Sequence, residues 1–208
     1  MTSSEHSIFT IGHSTHCVDR FLDLLTQHGI QVLVDVRSAP YSRYNPQYNQ
    51  IALEASLKNQ GIRYLFLGKE LGARSEDPGC YVGGRVQYSR IAQTDSFRSG
   101  IERVKKGAQS YRIAMMCSEK EPLECHRTLL VSRVLSEEGM SVLHIHADGH
   151  LEEHDKAMDR LMELTSIPGQ DLFRTRGELL EEALAKQESV VAYVDENLAA
   201  GSVREEAP

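Results

Sequence analysis

The sequence predicts an α/β fold, doubly wound in three layers around a mostly parallel five-stranded sheet. Three observations predict it. Short apolar, often β-branched runs alternate along the chain with stretches of helical periodicity. Those runs are apolar nearly throughout, the pattern of strands covered on both faces. Glycines stand where several of the helical stretches stop.

Ser7–Ile11 reads as the first strand, leading into Gly12-His13-Ser14-Thr15. Val18, Phe21, Leu22 and Leu25 then recur at helical spacing, and Gly29 ends that helix. Gln31–Val36 is a second, β-branched strand, followed by a polar loop over Ala39–Asn49. Ile51–Asn59 is helical and closed by Gly61; Arg63–Leu67 is the third strand. Gly68–Gln87 is irregular, and a loop of that length is more often functional than idle. Tyr88–Lys106 carries Ile91, Phe97, Ile101 and Val104 at helical spacing, and Arg112–Met116 is the fourth strand. Thr128–Glu138 is a helix ended by Gly139, Ser141–Ile145 the fifth strand, and Glu152–Leu164 a further helix. Strand order is not legible at this level.

Residues 1–168 are read as one α/β domain and residues 169–208 as a helical extension, with a disordered tail over Gly201–Pro208. Within Gly177–Leu198, an apolar stripe of Leu180, Ala183, Leu184, Val191 and Val194 is interrupted by Gln187. Such a stripe must cover something. Its own domain is the plainest occupant; a second subunit, giving a homodimer, and another protein are the alternatives.

No apolar run approaches the ~20 residues needed to span a bilayer, so no membrane partner is expected. The N-terminus lacks the basic start and apolar centre of a secretory signal, which makes the cytoplasm the expected compartment. There the four cysteines (Cys17, Cys80, Cys117, Cys125) are buried thiols, reactive thiols or metal ligands rather than a disulfide framework. A net charge of -7 argues against a broadly basic nucleic-acid-binding surface. The chain has no P-loop, no dinucleotide fingerprint and no Gly-x-Ser-x-Gly elbow, and no cofactor is assigned.

In open parallel sheets, ligands bind beyond the carboxyl ends of the strands. Those ends here carry His13 and Ser14, Asp35 and Arg37, Lys69 and Glu70, Cys117, and His144 and His146. Cys125-His126-Arg127 opens a helix, where free backbone N–H groups favour an anion and lower a thiol pKa. Cys117 and Cys125 are therefore candidate nucleophiles, with a plain buried thiol as the alternative. Asp35 and Arg37 point the same way from their strand, as general base and anion clamp or as an internal ion pair. Tyr41, Arg43 and their neighbours Tyr44, Asn45 and Tyr48 suit stacking on a planar base. His150-Leu151-Glu152-Glu153-His154 matches an inverted zinc-peptidase pattern, but a solvated helix face explains it better. Cys117 and Cys125, eight apart, lack the short spacing of structural zinc sites, and no metal is assigned.

Four motifs, in order, resemble the DUF488 family, a domain of unknown function. They are Thr10-Ile11-Gly12-His13-Ser14; Val34-Asp35-Val36-Arg37-Ser38-Ala39-Pro40-Tyr41-Ser42-Arg43; Leu67-Gly68-Lys69-Glu70-Leu71-Gly72; and the run from Met116-Cys117-Ser118-Glu119 through Cys125-His126-Arg127. The resemblance runs from about Ile8 to Gly149, and Glu182–Tyr193 resembles the end of many members more loosely. It implies a compact α/β domain and no established reaction. The motif residues it marks are His13, Ser14, Asp35, Arg37, Arg43, Cys117, Glu119, Cys125, His126 and Arg127. Ala73, where a second glycine is expected, and His146, where an apolar residue is usual, depart from the pattern.

The leading expectation is an enzyme that transfers or hydrolyses a group on a small phosphorylated or nucleotide-like anion. Cys117, Cys125, Asp35, His13 and His126 are its candidate catalytic groups. Ser14, Arg37, Tyr41, Arg43, Glu119 and Arg127 are its candidate substrate contacts. A protein that binds or processes nucleic acid or modified nucleotides is the second reading, and a non-catalytic interaction protein the third.

Overall fold

The computed structural model describes residues 7–202. Its central sheet is assembled from β1 (Ile8–Gly12), β2 (Val32–Asp35), β3 (Arg63–Phe66), β6 (Ile113–Cys117), β7 (Val142–Ile145) and β8 (Leu151–Glu153). Their spatial order is β3-β2-β6-β1-β7-β8. The first five are parallel, and β8 runs antiparallel to β7. A separate two-stranded hairpin joins β4 (Tyr81–Val82) to β5 (Arg85–Val86).

The doubly wound α/β reading holds, with a sixth strand added at the edge. Leu151–Glu153 is too short and polar to announce itself. The turn at Asp148-Gly149, where Gly149 has φ 98°, folds it back onto β7. The start of the helix expected at Glu152 is accordingly strand, and α7 runs over His154–Leu164.

Side chains alternate across the sheet and build two cores. On one face Phe9, Ile11, Leu33, Ala114, Met116 and Ile145 pack under α1 (Val18–Gln27) and α2 (Gln50–Asn59). On the other, Ile8, Val34, Val36, Met115 and Cys117 pack under α5 (Asp95–Ala108) and the segment that follows β6. Fully burying a side chain the size of Phe21 or Leu33 contributes roughly 1.5–3 kcal/mol, and both are 0% exposed.

The helix expected over Tyr88–Lys106 is two: α4 (Tyr88–Ile91) and α5, separated where the Thr94 hydroxyl accepts from Phe97 N and restarts the helix. The irregular Gly68–Gln87 stretch holds α3 (Gly68–Leu71) and the hairpin. After Cys125 the chain enters a π-helical segment, Arg127–Ser132, before α6 (Arg133–Glu137).

In the extension, a capping box at Thr175 and Glu178 starts α8 (Arg176–Val191), which buries Leu179, Ala183 and Leu184 against its own domain. Gln187, the polar break in that stripe, is buried and donates to the Leu123 carbonyl at 2.9 Å. The helix stops at Val191 because Ala192–Val194 turns extended and bridges Arg85. A short α9 covers Glu196–Ser202, so residues 201 and 202 of the expected disordered tail are helical, and the rest lies outside the described residues. Among the described residues, no helix is long and apolar enough to cross a membrane.

Candidate active site

The polar residues meet along the carboxyl edge of the parallel strands, but on two faces of the sheet. Asp35, Arg37 and His13 lie on the α1/α2 face and form a closed network. The Arg37 guanidinium donates to both Asp35 carboxylate oxygens at 2.6–3.2 Å and to the Tyr48 carbonyl at 2.8 Å. The Tyr64 hydroxyl donates to Asp35 at 2.8 Å. Arg37 also faces His13 Nε2 at 3.4 Å, while His13 Nδ1 donates to the Ser14 carbonyl at 2.8 Å. A ring with one nitrogen donating and the other facing a guanidinium is neutral. Burial, with the Arg37 charge beside it, lowers its pKa to about 4. The His13 ring stacks on Tyr48 at 4.1 Å. Ser14 takes a left-handed φ of 49°, uncommon for a residue with a side chain.

On the opposite face, β6 ends at Cys117 and a loop carries Ser118–Glu121 to a 3-10 turn over Pro122–Glu124. That turn is capped by Glu121, whose carboxylate accepts from Leu123 N. It delivers Cys125, His126 and Arg127 back beneath Cys117. Cys117 Sγ is 3.7 Å and Cys125 Sγ 3.8 Å from His126 Nδ1. His126 Nε2 donates to the Val36 carbonyl at 3.0 Å, which leaves Nδ1 turned toward both sulfurs. Glu119 Oε2 is 3.0 Å from Cys125 Sγ, and Arg127 N donates to the same sulfur at 3.5 Å.

Electrostatics separate the two thiols. The hydrogen bond with Cys125, together with burial, pushes the Cys117 thiol up. Burial alone would raise Cys125 too. The hydrogen bond from Cys117 and the charges of Arg127 and His126 outweigh it, holding the thiol well below its usual range. Glu119 is raised by desolvation and by the neighbouring sulfur, although the residue is exposed overall. His126 is raised despite its burial, because Cys125 and Glu119 favour its charged form. The proton of this cluster belongs to the group rather than to any one side chain.

The cluster forms the floor of a cavity of about 300 Å³ that Arg37, Tyr41, Arg74, Tyr88, Val191 and Tyr193 also border. Arg74, in the irregular Gly68–Gln87 stretch, packs its guanidinium 4.5 Å over the Tyr193 ring and has no carboxylate partner among the described residues. The two arginines singled out as anion clamps are placed differently. Arg127 is 0% exposed and donates to the Glu119 and Lys120 carbonyls at 2.8 and 3.3 Å, fixing the loop. Arg37 is committed to Asp35, Tyr48 and His13 as above. Arg43 is exposed, lies 5.9 Å from the Tyr44 ring and does not border the cavity.

The histidines around β7 and β8 lie elsewhere. His144 and His154 are buried 3.1 Å apart, and His146 stacks on His150 at 4.1 Å while pairing with Glu152. His150, Glu153 and His154 fall in a turn, at the end of a strand and at a helix start, so the inverted zinc-peptidase pattern does not share one helix face. Arg74 had a signal in its long loop. Val191 had one in the apolar stripe of the extension, though not toward this cavity, and Tyr88 and Tyr193 had none, since only the tertiary fold brings them there.

A family model described as "Domain of unknown function DUF488" matches residues 17–134, more than half of the chain. The chain belongs to the DUF488 family. The matched DUF488 segment contains Asp35, Arg37 and the whole thiol cluster; His13, Ser14 and the α8 wall of the cavity lie outside it. No curated protein and no solved structure matches this DUF488 chain.

Glycine makes the junction between β1 and the thiol loop possible. His13 N donates to the Cys117 carbonyl and Ser14 N to the Ser118 carbonyl, both at 2.9 Å. A Cβ on Gly12 would lie 1.8 Å from the Glu119 carbonyl oxygen and 3.2 Å from an Arg127 guanidinium nitrogen. Gly12→Ala is therefore expected to displace the loop and cost about 1–3 kcal/mol in a denaturant titration. An unchanged midpoint would mean that the loop yields freely and is not braced by β1.

Proposed function

We propose that this chain is an enzyme that transfers or hydrolyses a group on a small anionic substrate, of the phosphorylated or nucleotide-like class. The observation that carries the reading is the meeting of Cys125 Sγ, Glu119 Oε2 and His126 Nδ1 on the floor of a cavity with a cationic border. The cavity volume suits a small molecule. Arg74, free of carboxylates and resting on Tyr193, is the group that faces the substrate's anion. Cys125 offers the electron-rich sulfur, and Glu119 and His126 hold the proton that the leaving group needs. Asp35, Arg37 and His13 act as the frame behind this centre.

Cysteine alkylation tests the reading. In the reduced chain treated with a chelator, iodoacetamide at neutral pH is expected to modify Cys125 far faster than buried Cys80, despite similar burial of the two. Arg74→Ala is expected to slow labelling by an anionic reagent such as iodoacetate more than by neutral iodoacetamide. Equal, slow modification of Cys125 and Cys80 would remove the sulfur as a reacting atom.

A further inference from the structure

We infer that Cys117, Cys125 and His126 together form a binding site for a divalent cation of the zinc class. The spacing of the two cysteines in sequence gave no hint of it, because one ends a strand and the other opens a helical segment across a loop. In space their donor atoms and the imidazole nitrogen all lie within 4.8 Å of one another. Zinc bonds to sulfur and nitrogen imply a sulfur–nitrogen edge of about 3.6 Å in a tetrahedral site. The two observed edges are 3.7 and 3.8 Å.

The surroundings fit the same assignment. His126 donates its far ring nitrogen to the Val36 carbonyl, which fixes the ring with Nδ1 toward the sulfurs. Metal-bound histidines are oriented by this kind of outer hydrogen bond. Two sulfurs and an imidazole select zinc-like ions over magnesium or calcium, which prefer oxygen. The three groups are buried, yet all border the cavity, so a fourth coordination position opens toward it. Three protein ligands with an open fourth position are the arrangement of a reactive rather than a structural zinc site.

What the ion would do rests on reading this cluster as the reaction centre, whereas its binding stands on geometry alone. With the ion bound, Cys125 is a ligand, and the electron-rich group offered to substrate is a water in the fourth position. Glu119, beside Cys125, takes that water's proton. The water oxygen forms the new bond to the electrophilic phosphorus or carbon, and the leaving group departs with the bonding pair and receives the proton from Glu119.

Cobalt substitution tests the site without any knowledge of substrate. Co2+ added to the reduced, chelator-stripped full chain is expected to saturate at one ion per chain. A thiolate-to-cobalt charge-transfer band and the strong visible absorption of four-coordinate cobalt should accompany it. Cys117→Ser and Cys125→Ser should each lose roughly half of the charge-transfer intensity, and Cys80→Ser none. A measurement that needs no variant accompanies these: Zn2+ should protect Cys117 and Cys125 of the unaltered chain from alkylation while Cys17 reacts as before. The absence of a cobalt spectrum, a band undiminished in both serine variants, or fast Cys125 alkylation in the stripped chain that Zn2+ leaves unslowed would each overturn the site. Fast Cys125 alkylation with no cobalt spectrum removes the ion and leaves the sulfur reading. A cobalt spectrum with slow Cys125 alkylation in the stripped chain does the reverse.

Discussion

Arg37→Ala is expected to lower the free energy of unfolding by about 3–5 kcal/mol, the largest loss anticipated for a single substitution. The Asp35 carboxylate is 0% exposed and its arginine 4%. Removing the guanidinium leaves a buried negative charge with one tyrosine hydroxyl and the Arg37 backbone N–H as remaining donors. It also strips the Tyr48 carbonyl and His13 of their partner. The cost comes from the stranded charge, because two buried ions repay little more than their own desolvation. The double variant Asp35→Leu/Arg37→Met should therefore recover most of the loss. Urea titrations of both variants check this. A double variant no more stable than Arg37→Ala would mean that shape, rather than charge, is what the pair supplies.

Acid lability is the second large expectation. His144 Nδ1 is 2.7 Å from the Thr10 hydroxyl, and its Nε2 shares a proton with His154 Nδ1. Burial, with further contributions from His154 and Arg127, depresses His144 well below the usual range. Burial lowers His154 to about 4, against the opposing charges of Asp155 and Glu137. The unfolded chain takes up both protons as pH falls through ~6.5, whereas folded His154 refuses its proton until about pH 4 and His144 stays well below its usual range. The His154 contribution is thus complete above about pH 6.5 and is lost progressively down to about pH 4. For His154 alone the loss is on the order of 3 kcal/mol, at 1.36 kcal/mol per pKa unit. His154→Gln should be less stable than the parent at pH 7 and should close that gap near pH 4.5. Parallel stability profiles across this interval would show that the pair titrates alike in both states.

Much of the architecture was legible because buried parallel strands write themselves as unbroken apolar runs. Val32 and Val34 lie in one core and Leu33 in the other, so β2 is apolar on both faces until Asp35 at its end. The elements that escaped are those whose cause is tertiary. β8 is three residues, two of them acidic, and is strand only because β7 offers it an open edge. The π-helical turn after Cys125 has no local signature, since its Ser132 hydroxyl donates to the Arg127 carbonyl five residues back.

The site divides the same way. Alternation along β2 put Asp35 and Arg37 on one side, which left open whether they face a ligand or each other. Their mutual distances decide for each other. Likewise the helix-start arginine that reads as an anion clamp gives its two terminal nitrogens to the Glu119 and Lys120 carbonyls, while its buried Nε has no protein partner among the described residues. That Cys117, Cys125 and His126 converge needed the 3-10 turn at Pro122, which brings the chain back beneath the strand it has just left.

Val191 and Tyr193 close the cavity from the far end of the chain, beyond the segment that the family model spans. The thiol cluster and the wall opposite it thus sit in separate parts of the polypeptide, one inside the family match and one outside it. Exchanging only the carboxyl-terminal strap would therefore reshape what the cavity admits while leaving its floor intact.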